Sequence, residues 1–192
     1  MSKIPVEDSD GSLDVLSWYE ELSSGYDELY GEEQSRKYIR VFKELSLRSY
    51  LMNKKQVILD LGCGTGGLIK FLYREFRNVL SIYYVGLDLS PLMCFLSKEQ
   101  IDRIGVLGDV VAGDIFRPPL RTGVANAVFS ITVLTCMDHL EEVVPNLTKL
   151  LKDSGLLCCT ILCSDPSRHK HYSELCETSA SLSRWEVLCI IK

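Results

Sequence analysis

Histidine is scarce in this chain, with three among 192 residues, and two of them, His169 and His171, sit in one short segment. The eight cysteines (Cys63, Cys94, Cys136, Cys158, Cys159, Cys163, Cys176 and Cys189) contain no C-x-x-C pair and mostly fall inside apolar segments. They read as small buried hydrophobes in a reducing, cytoplasmic compartment, and no metal site is expected within the chain. Long apolar runs are missing: Leu156 to Cys163 has the length of a buried strand, not of a membrane span. The first ten residues are polar and acidic, which is not the pattern of a signal peptide. Basic residues are in deficit, and a net charge of −5 disfavours a stand-alone nucleic-acid binder. There is no internal repeat and no low-complexity segment.

What is present is ordinary globular material, with 46% hydrophobic and 24% charged residues, enough for one α/β domain and not for two. The expected division is a leader and helical extension over 1–55 and a single core over 56–192. In the extension, Trp18 to Leu51 is helical in pattern, with turn signals at Ser23-Ser24-Gly25 and at Gly31. The helix from about Glu32 to Leu51 carries Tyr38, Val41, Phe42 and Leu45 at core spacing.

The rest of the chain is arranged around Val57-Ile58-Leu59-Asp60-Leu61-Gly62-Cys63-Gly64-Thr65-Gly66-Gly67. Val57 to Asp60 reads as a buried strand closed by a carboxylate, and Leu68 to Phe76 as the helix after the turn. Glycine at every second position lets a ligand lie against the main chain, next to the positive end of the helix. Gly62, Gly64 and Gly67 also satisfy a dinucleotide pattern, so the glycines alone do not choose the ligand. Asp60 separates the two: a carboxylate there repels pyrophosphate but suits a ligand carrying an ammonium and a sulfonium, as S-adenosyl-L-methionine does.

Strand and helix then alternate, which predicts a doubly wound parallel sheet. Strands are expected at Ser81–Asp88, Val110–Ala112, Ala125–Thr132, Leu156–Leu162 and Trp185–Ile191. Helices are expected after Ser90-Pro91, over Asp138–Leu151 and after Asp165-Pro166. Asp60, Asp88 and Asp114 thereby close three successive strands on one sheet edge, the edge where such folds bind ligands. Asp88 is placed to accept both ribose hydroxyls of an adenosine, with Leu89 and Met93 flanking the base. Asp114 is placed to accept the adenine amino group, with the Ile115 N–H free for a ring nitrogen. Ser130, Ile131 and Thr132 line the expected transfer site beyond the fourth strand, and Tyr26, Tyr30 and Lys37 are candidates to close over the cofactor.

The run Asp60 to Gly66, the segment Val85-Gly86-Leu87-Asp88-Leu89-Ser90-Pro91, and Gly113-Asp114 with Pro118-Pro119-Leu120 resemble class I S-adenosylmethionine-dependent methyltransferases over about Gln56 to Ile191. With Leu29-Tyr30-Gly31-Glu32-Glu33-Gln34-Ser35-Arg36-Lys37-Tyr38 ahead of them, they are similar to the small-subunit rRNA guanine-N7 methyltransferase family and its archaeal relatives. The resemblance implies a Rossmann-like fold, the turn residues Gly62, Cys63, Gly64 and Gly66 as cofactor contacts, and a small zinc-binding activator as partner. In the class I sheet order the third strand lies at an edge, so Val110, Val111 and Ala112 become the expected pairing site for that partner.

Departures from the pattern narrow the substrate. Asn126 stands where such enzymes often carry Asp, and Ser130-Ile131-Thr132-Val133-Leu134 replaces the Asn/Asp-Pro-Pro-Tyr run of amide and exocyclic-amine methylation. One strand is expected after the last helix, where the family has more sheet. Arg168-His169-Lys170-His171 is the one compact basic cluster, read as either a phosphate contact or a solvated helix face. Four readings stay open: an RNA or translation-component methyltransferase with a partner, a small-molecule methyltransferase acting alone, a protein methyltransferase, and a subunit that binds the cofactor without transfer.

Overall fold

The computed structural model describes residues 25–44, 55–76, 81–135, 140–163, 173–174, 176–183 and 186–191. The leader, the helix after Asp165-Pro166 and the basic cluster at 168–171 lie outside the described residues. So does the side chain of Tyr26.

The elements are α1 (Tyr26–Glu44), β1 (Gln56–Leu61), α2 (Gly67–Glu75), β2 (Ile82–Asp88), α3 (Pro91–Ile104), β3 (Leu107–Ala112), β4 (Ala125–Thr135), α4 (Leu140–Thr148), β5 (Leu151–Leu162), β6 (Thr178–Ser183) and β7 (Glu186–Ile191). They build one seven-stranded sheet in the order β3-β2-β1-β4-β5-β7-β6. The pairs β3/β2, β2/β1, β1/β4 and β4/β5 are parallel, and β7 runs antiparallel to both β5 and β6. The Rossmann-like doubly wound sheet is therefore as expected, and β3 is an edge strand. No described helix is long and apolar enough to cross a membrane.

Apolar residues pack on both faces of the sheet. On one, Tyr38, Val41 and Phe42 of α1 meet Phe71 and Phe76 of the α2 region and Phe129 of β4. Phe42 stacks on Phe129 with centroids 5.5 Å apart and lies 5.3 Å from Phe71. On the other, Leu140, Val143, Val144 and Leu147 of α4 cover Leu59, Val128, Leu157 and Cys159. Strands buried on both faces read as near-continuous apolar runs, which is why β1 and the core of β5 were legible; β2, with Tyr83 exposed, was still an apolar run.

Several expectations need correction. Gly31 does not interrupt the extension: α1 runs through it, because the glycine penalty of about 1 kcal/mol is smaller than the packing of one buried aromatic. A hairpin, not a single strand, completes the sheet. Thr178–Ser183 is a mostly exposed edge strand in which Ala180 and Leu182 alternate with serines and turn to the core, a pattern of two apolar residues too short to stand out in the sequence. β5 begins at Leu151, not Leu156. Asp153-Ser154-Gly155 form a kink within the strand, with Ser154 at φ 60 and a register shift opposite Ala125 and Ala127. α4 ends at Thr148, where Leu150 N–H turns back to the Leu147 carbonyl. The cysteines are not all free thiols: Cys176 and Cys189 are joined, with Cα atoms 5.3 Å apart. Cys63, Cys94, Cys158 and Cys159 are free and buried, as read.

Candidate cofactor site

The sheet reverses its winding between β1 and β4: successive strands run outward to β2 and β3 on one side and to β5 on the other. A crevice opens at such a point outside the carboxyl ends of the strands. Asp60 lies in register with Gly86 on β2 and with Phe129 on β4. The turn after β1 is tied to the end of β2, since the Gly62 and Cys63 N–H groups both donate to the Leu87 carbonyl, at 2.7 and 3.0 Å. Gly62, Gly64 and Gly66 take φ of 82°, 51° and 81°, a region that other L-residues rarely adopt.

Gly62 and Gly64 differ in what they face. A Cβ on Gly62 would fall 2.2 Å from Cγ2 of Val133, so that glycine is required by close approach. A Cβ on Gly64 would meet no atom within 4 Å. The open face of the turn is therefore at Gly64, and Asp88 borders it. Asp88 Oδ2 accepts from Gly64 N–H at 2.9 Å and Oδ1 from Ser90 N–H at 3.0 Å. Each oxygen keeps a lone pair for a further donor, which fits two vicinal hydroxyls. Burial pushes the Asp88 carboxyl up from its ordinary value, opposed by the backbone donors at Ser90, Gly64 and Leu89.

Asp60 is 4% exposed, and its Oδ2 accepts the Tyr84 hydroxyl. Burial pushes its pKa to about 7, the Tyr84 bond lowers it, and the neighbouring Asp88 raises it. The same burial, with Asp60 alongside, holds the Tyr84 phenol far above its usual value. A carboxyl of this kind sits near its titration point at neutral pH, so a cation brought close to it favours the ionised form.

The remaining candidates separate. Asp114 is exposed, and its Oδ1 accepts Phe116 N–H at 2.8 Å in a local turn. Ile115 is half-buried and packs toward the α4 face. Leu89 is exposed beside Asp88. Met93 is only 1% exposed, turned inward at the third position of α3. Cys63 is buried under the turn, close enough to Gly86 that a Cβ there would fall 2.9 Å from its sulfur. Tyr30 is half-buried on α1.

At the expected transfer site the three residues do not act alike. Ile131 continues the inward face of Ala127 and Phe129 and packs in the core. Ser130 is fully buried, and its Oγ has no hydrogen-bond partner. Thr132 alone is partly exposed. The reason is a bulge in which Ser130 pairs with Cys159 and Leu134 with Ile161, so three residues of β4 stand opposite Thr160. Lys37 turns to the end of β4 and to β7, not to the glycine turn. It donates to Thr132 Oγ1 at 3.2 Å and pairs with Glu186 Oε2 at 3.2 Å and Glu33 Oε1 at 3.0 Å. Asn126 lies at the opposite end of β4, where its Oδ1 accepts Val57 N–H at 2.9 Å, which is a structural role.

Sequence reasoning missed Tyr84, Val133, Thr160 and Glu186. Glu186 had a signal, a single carboxylate opening the apolar run Val187 to Ile191. Tyr84 had none, being one aromatic in an apolar strand.

Residues 59–159, more than half the chain, match the family model described as a methyltransferase domain. The chain belongs to the methyltransferase-domain family. S-adenosyl-L-methionine is the methyl donor of this fold. An S-adenosyl-L-methionine-dependent methyltransferase from Aquifex aeolicus superposes with a TM-score of 0.59 at 13% identity, over 78% of this chain and 89% of that one. The Haloferax volcanii chain solved with the Trm112 methyltransferase activator superposes at 0.60 and 14% identity, over 85% of this chain and 94% of that one. Among curated relatives, an uncharacterized protein of Methanocaldococcus jannaschii is 26% identical over 78% of this chain and 52% of its own length. The malonyl-[acyl-carrier protein] O-methyltransferase of Enterobacter lignolyticus is 29% identical over 56% of this chain and 39% of its own. The chain thus spans about half or less of the curated relatives it matches.

Proposed function

We propose that the chain methylates RNA or another component of the translation apparatus in complex with a small zinc-binding activator, with its cofactor at the Gly62–Gly66 turn. The observation that carries the cofactor site is the Asp88 carboxylate, fixed by two backbone donors beside the open face of Gly64. Bound S-adenosyl-L-methionine supplies a methyl group already activated on a sulfonium. The residues of the chain then orient and desolvate. Asp88 would hold the ribose hydroxyls, the second oxygen of Asp114 would accept the adenine amino group, and the positive charge would favour the ionised form of Asp60. A ring nitrogen with a free lone pair has no proton to lose, so an acceptor such as guanine N7 needs no general base from this site.

The partner reading rests on β3. Among the described residues that edge pairs only with β2. Leu107 is 70% exposed on it, and Phe95 (61%) and Leu92 on α3, with Leu89 before that helix, add further exposed apolar surface. A bare apolar edge is a template for strand addition, and the Haloferax neighbour is a chain solved with an activator. Co-expression with the host's small zinc protein tests it. The expected result is one co-purifying complex that Val110→Lys with Ala112→Lys dissolves while cofactor binding persists. A fully active monomer at micromolar concentration would contradict it. That outcome favours the second reading, a small-molecule methyltransferase, which the net charge of −5 and the O-methyltransferase relative support.

A further inference from the structure

Thr132 is a β-branched residue at φ 64°, one of two positive-φ residues other than glycine among those described. That conformation is costly for a branched side chain, and it persists only where surrounding contacts over-determine it. Here they do. The Thr132 N–H donates to Thr160 Oγ1 at 2.7 Å, and Thr160 is fully buried on β5. Thr132 Oγ1 accepts from Lys37 Nζ, and its own proton is directed at Gln34 Oε1 (3.3 Å) or Glu186 Oε1 (3.4 Å). Lys37 and Glu186 form an ion pair whose side chains are 15% and 3% exposed. With Thr132 and Glu33 also in reach, all three protons of the Lys37 ammonium find acceptors. Arg40, one turn further along α1, donates to the Leu182 carbonyl and, at 2.8 Å, to that of Ser181 on β6.

This cluster stands at the ligand edge of the sheet. Glu186 is paired with Leu162 at the carboxyl end of β5, and Thr132 lies beyond the Asp60–Phe129 register at the end of β4. Its effect reaches the cofactor turn through the next residue, because the Val133 side chain fills the space over Gly62 that a Cβ would otherwise occupy. A fully paired buried ion pair contributes little net stability, yet removing one partner leaves an uncompensated charge. Such a pair sets a geometry more effectively than it stabilises a fold.

We propose that Lys37, Glu186 and Thr160 are positioning residues of the transfer site: they hold Thr132 left-handed and thereby seat Val133 on Gly62, coupling the docking of α1 to the shape of the cofactor turn. The proposal rests on the cofactor reading above and specifies how that site is held. None of the three need touch the methyl group.

Amide hydrogen exchange on the full chain without cofactor, followed by calorimetric titration with S-adenosylhomocysteine, tests the coupling. Lys37→Met and the nearly isosteric Thr160→Val are expected to speed exchange about tenfold across 62–67 as well as across 131–135. Both should weaken S-adenosylhomocysteine about tenfold, equivalent to about 1.4 kcal/mol. Lys37→Arg should restore most of both readouts, and Glu186→Gln should resemble Lys37→Met. If the variants lower only the melting temperature, with exchange at 62–67 and affinity as in the parent, the cluster is a fold contact and the proposal is overturned. Faster exchange at 62–67 with unchanged affinity overturns it equally. A parent chain that binds no S-adenosylhomocysteine refutes the cofactor reading instead, and the exchange pattern still decides whether the cluster reaches the turn.

Discussion

Replacing Asp60 by Asn should change how stability depends on pH, with a sign that the structure dictates. In the folded chain burial holds the Asp60 carboxyl near a pKa of about 7, against an ordinary value of 3.8. Between those values the folded state binds a proton that the unfolded state has released. Stability contributed by the neutral carboxyl is therefore full below about 4, falls as pH rises through the window, and is gone above about 7. The gap amounts to about 4 kcal/mol at most, with relaxation of the site reducing it. The amide introduced by Asp60→Asn cannot titrate, yet its oxygen still accepts the Tyr84 hydroxyl, so the variant isolates the charge. Urea denaturation followed by circular dichroism at pH 5 and pH 8 measures the effect. The parent should lose stability relative to the Asp60→Asn variant by a few kcal/mol between the two pH values. Parallel profiles would refute the argument, because they would mean that Asp60 is ionised in the folded chain throughout.

Three further outcomes follow from the packing. Tyr84→Phe removes the donor that lowers the Asp60 pKa, so the loss of stability should shift to higher pH, readable in the same titration. Phe42→Ala should cost about 3–5 kcal/mol in chemical denaturation, since the ring packs against Phe71, Phe76 and Phe129 together. Gly31→Ala should stabilise α1 by about 0.5–1 kcal/mol in thermal unfolding, because a Cβ there meets nothing within 4 Å and the position lies inside a helix.

The sheet was legible where burial forces a pattern. β1, β2 and the core of β5 announce themselves as apolar runs, and the glycine turn announces itself because its backbone angles exclude other residues. The edge strand β6 was not legible, since a short serine-rich strand with only Ala180 and Leu182 facing the core looks like a loop. The place of Asp88 at the end of β2, bonded to the glycine turn, was legible from the strand and turn pattern. The burial of Met93 and Ile131 was not legible for a different reason: position along the chain identifies the end of an element, but the side a residue faces depends on the turn or bulge around it. Thr132 illustrates the point most clearly. Its conformation comes from a bulge and from Lys37 and Glu186, residues 95 and 54 positions away, which no local pattern records.

The most direct test of the account is calorimetric titration of the chain, alone and together with the proposed activator, with S-adenosyl-L-methionine, using the parent and Asp88→Ala. The parent should bind one cofactor per chain, and the variant should lose the charge-assisted bonds to the ribose, about 1.5–3 kcal/mol for each. Equal affinity of parent and variant, or preference of the parent for a nicotinamide dinucleotide, would contradict the assignment of the Gly62–Gly66 turn and Asp88 as the methyl-donor site.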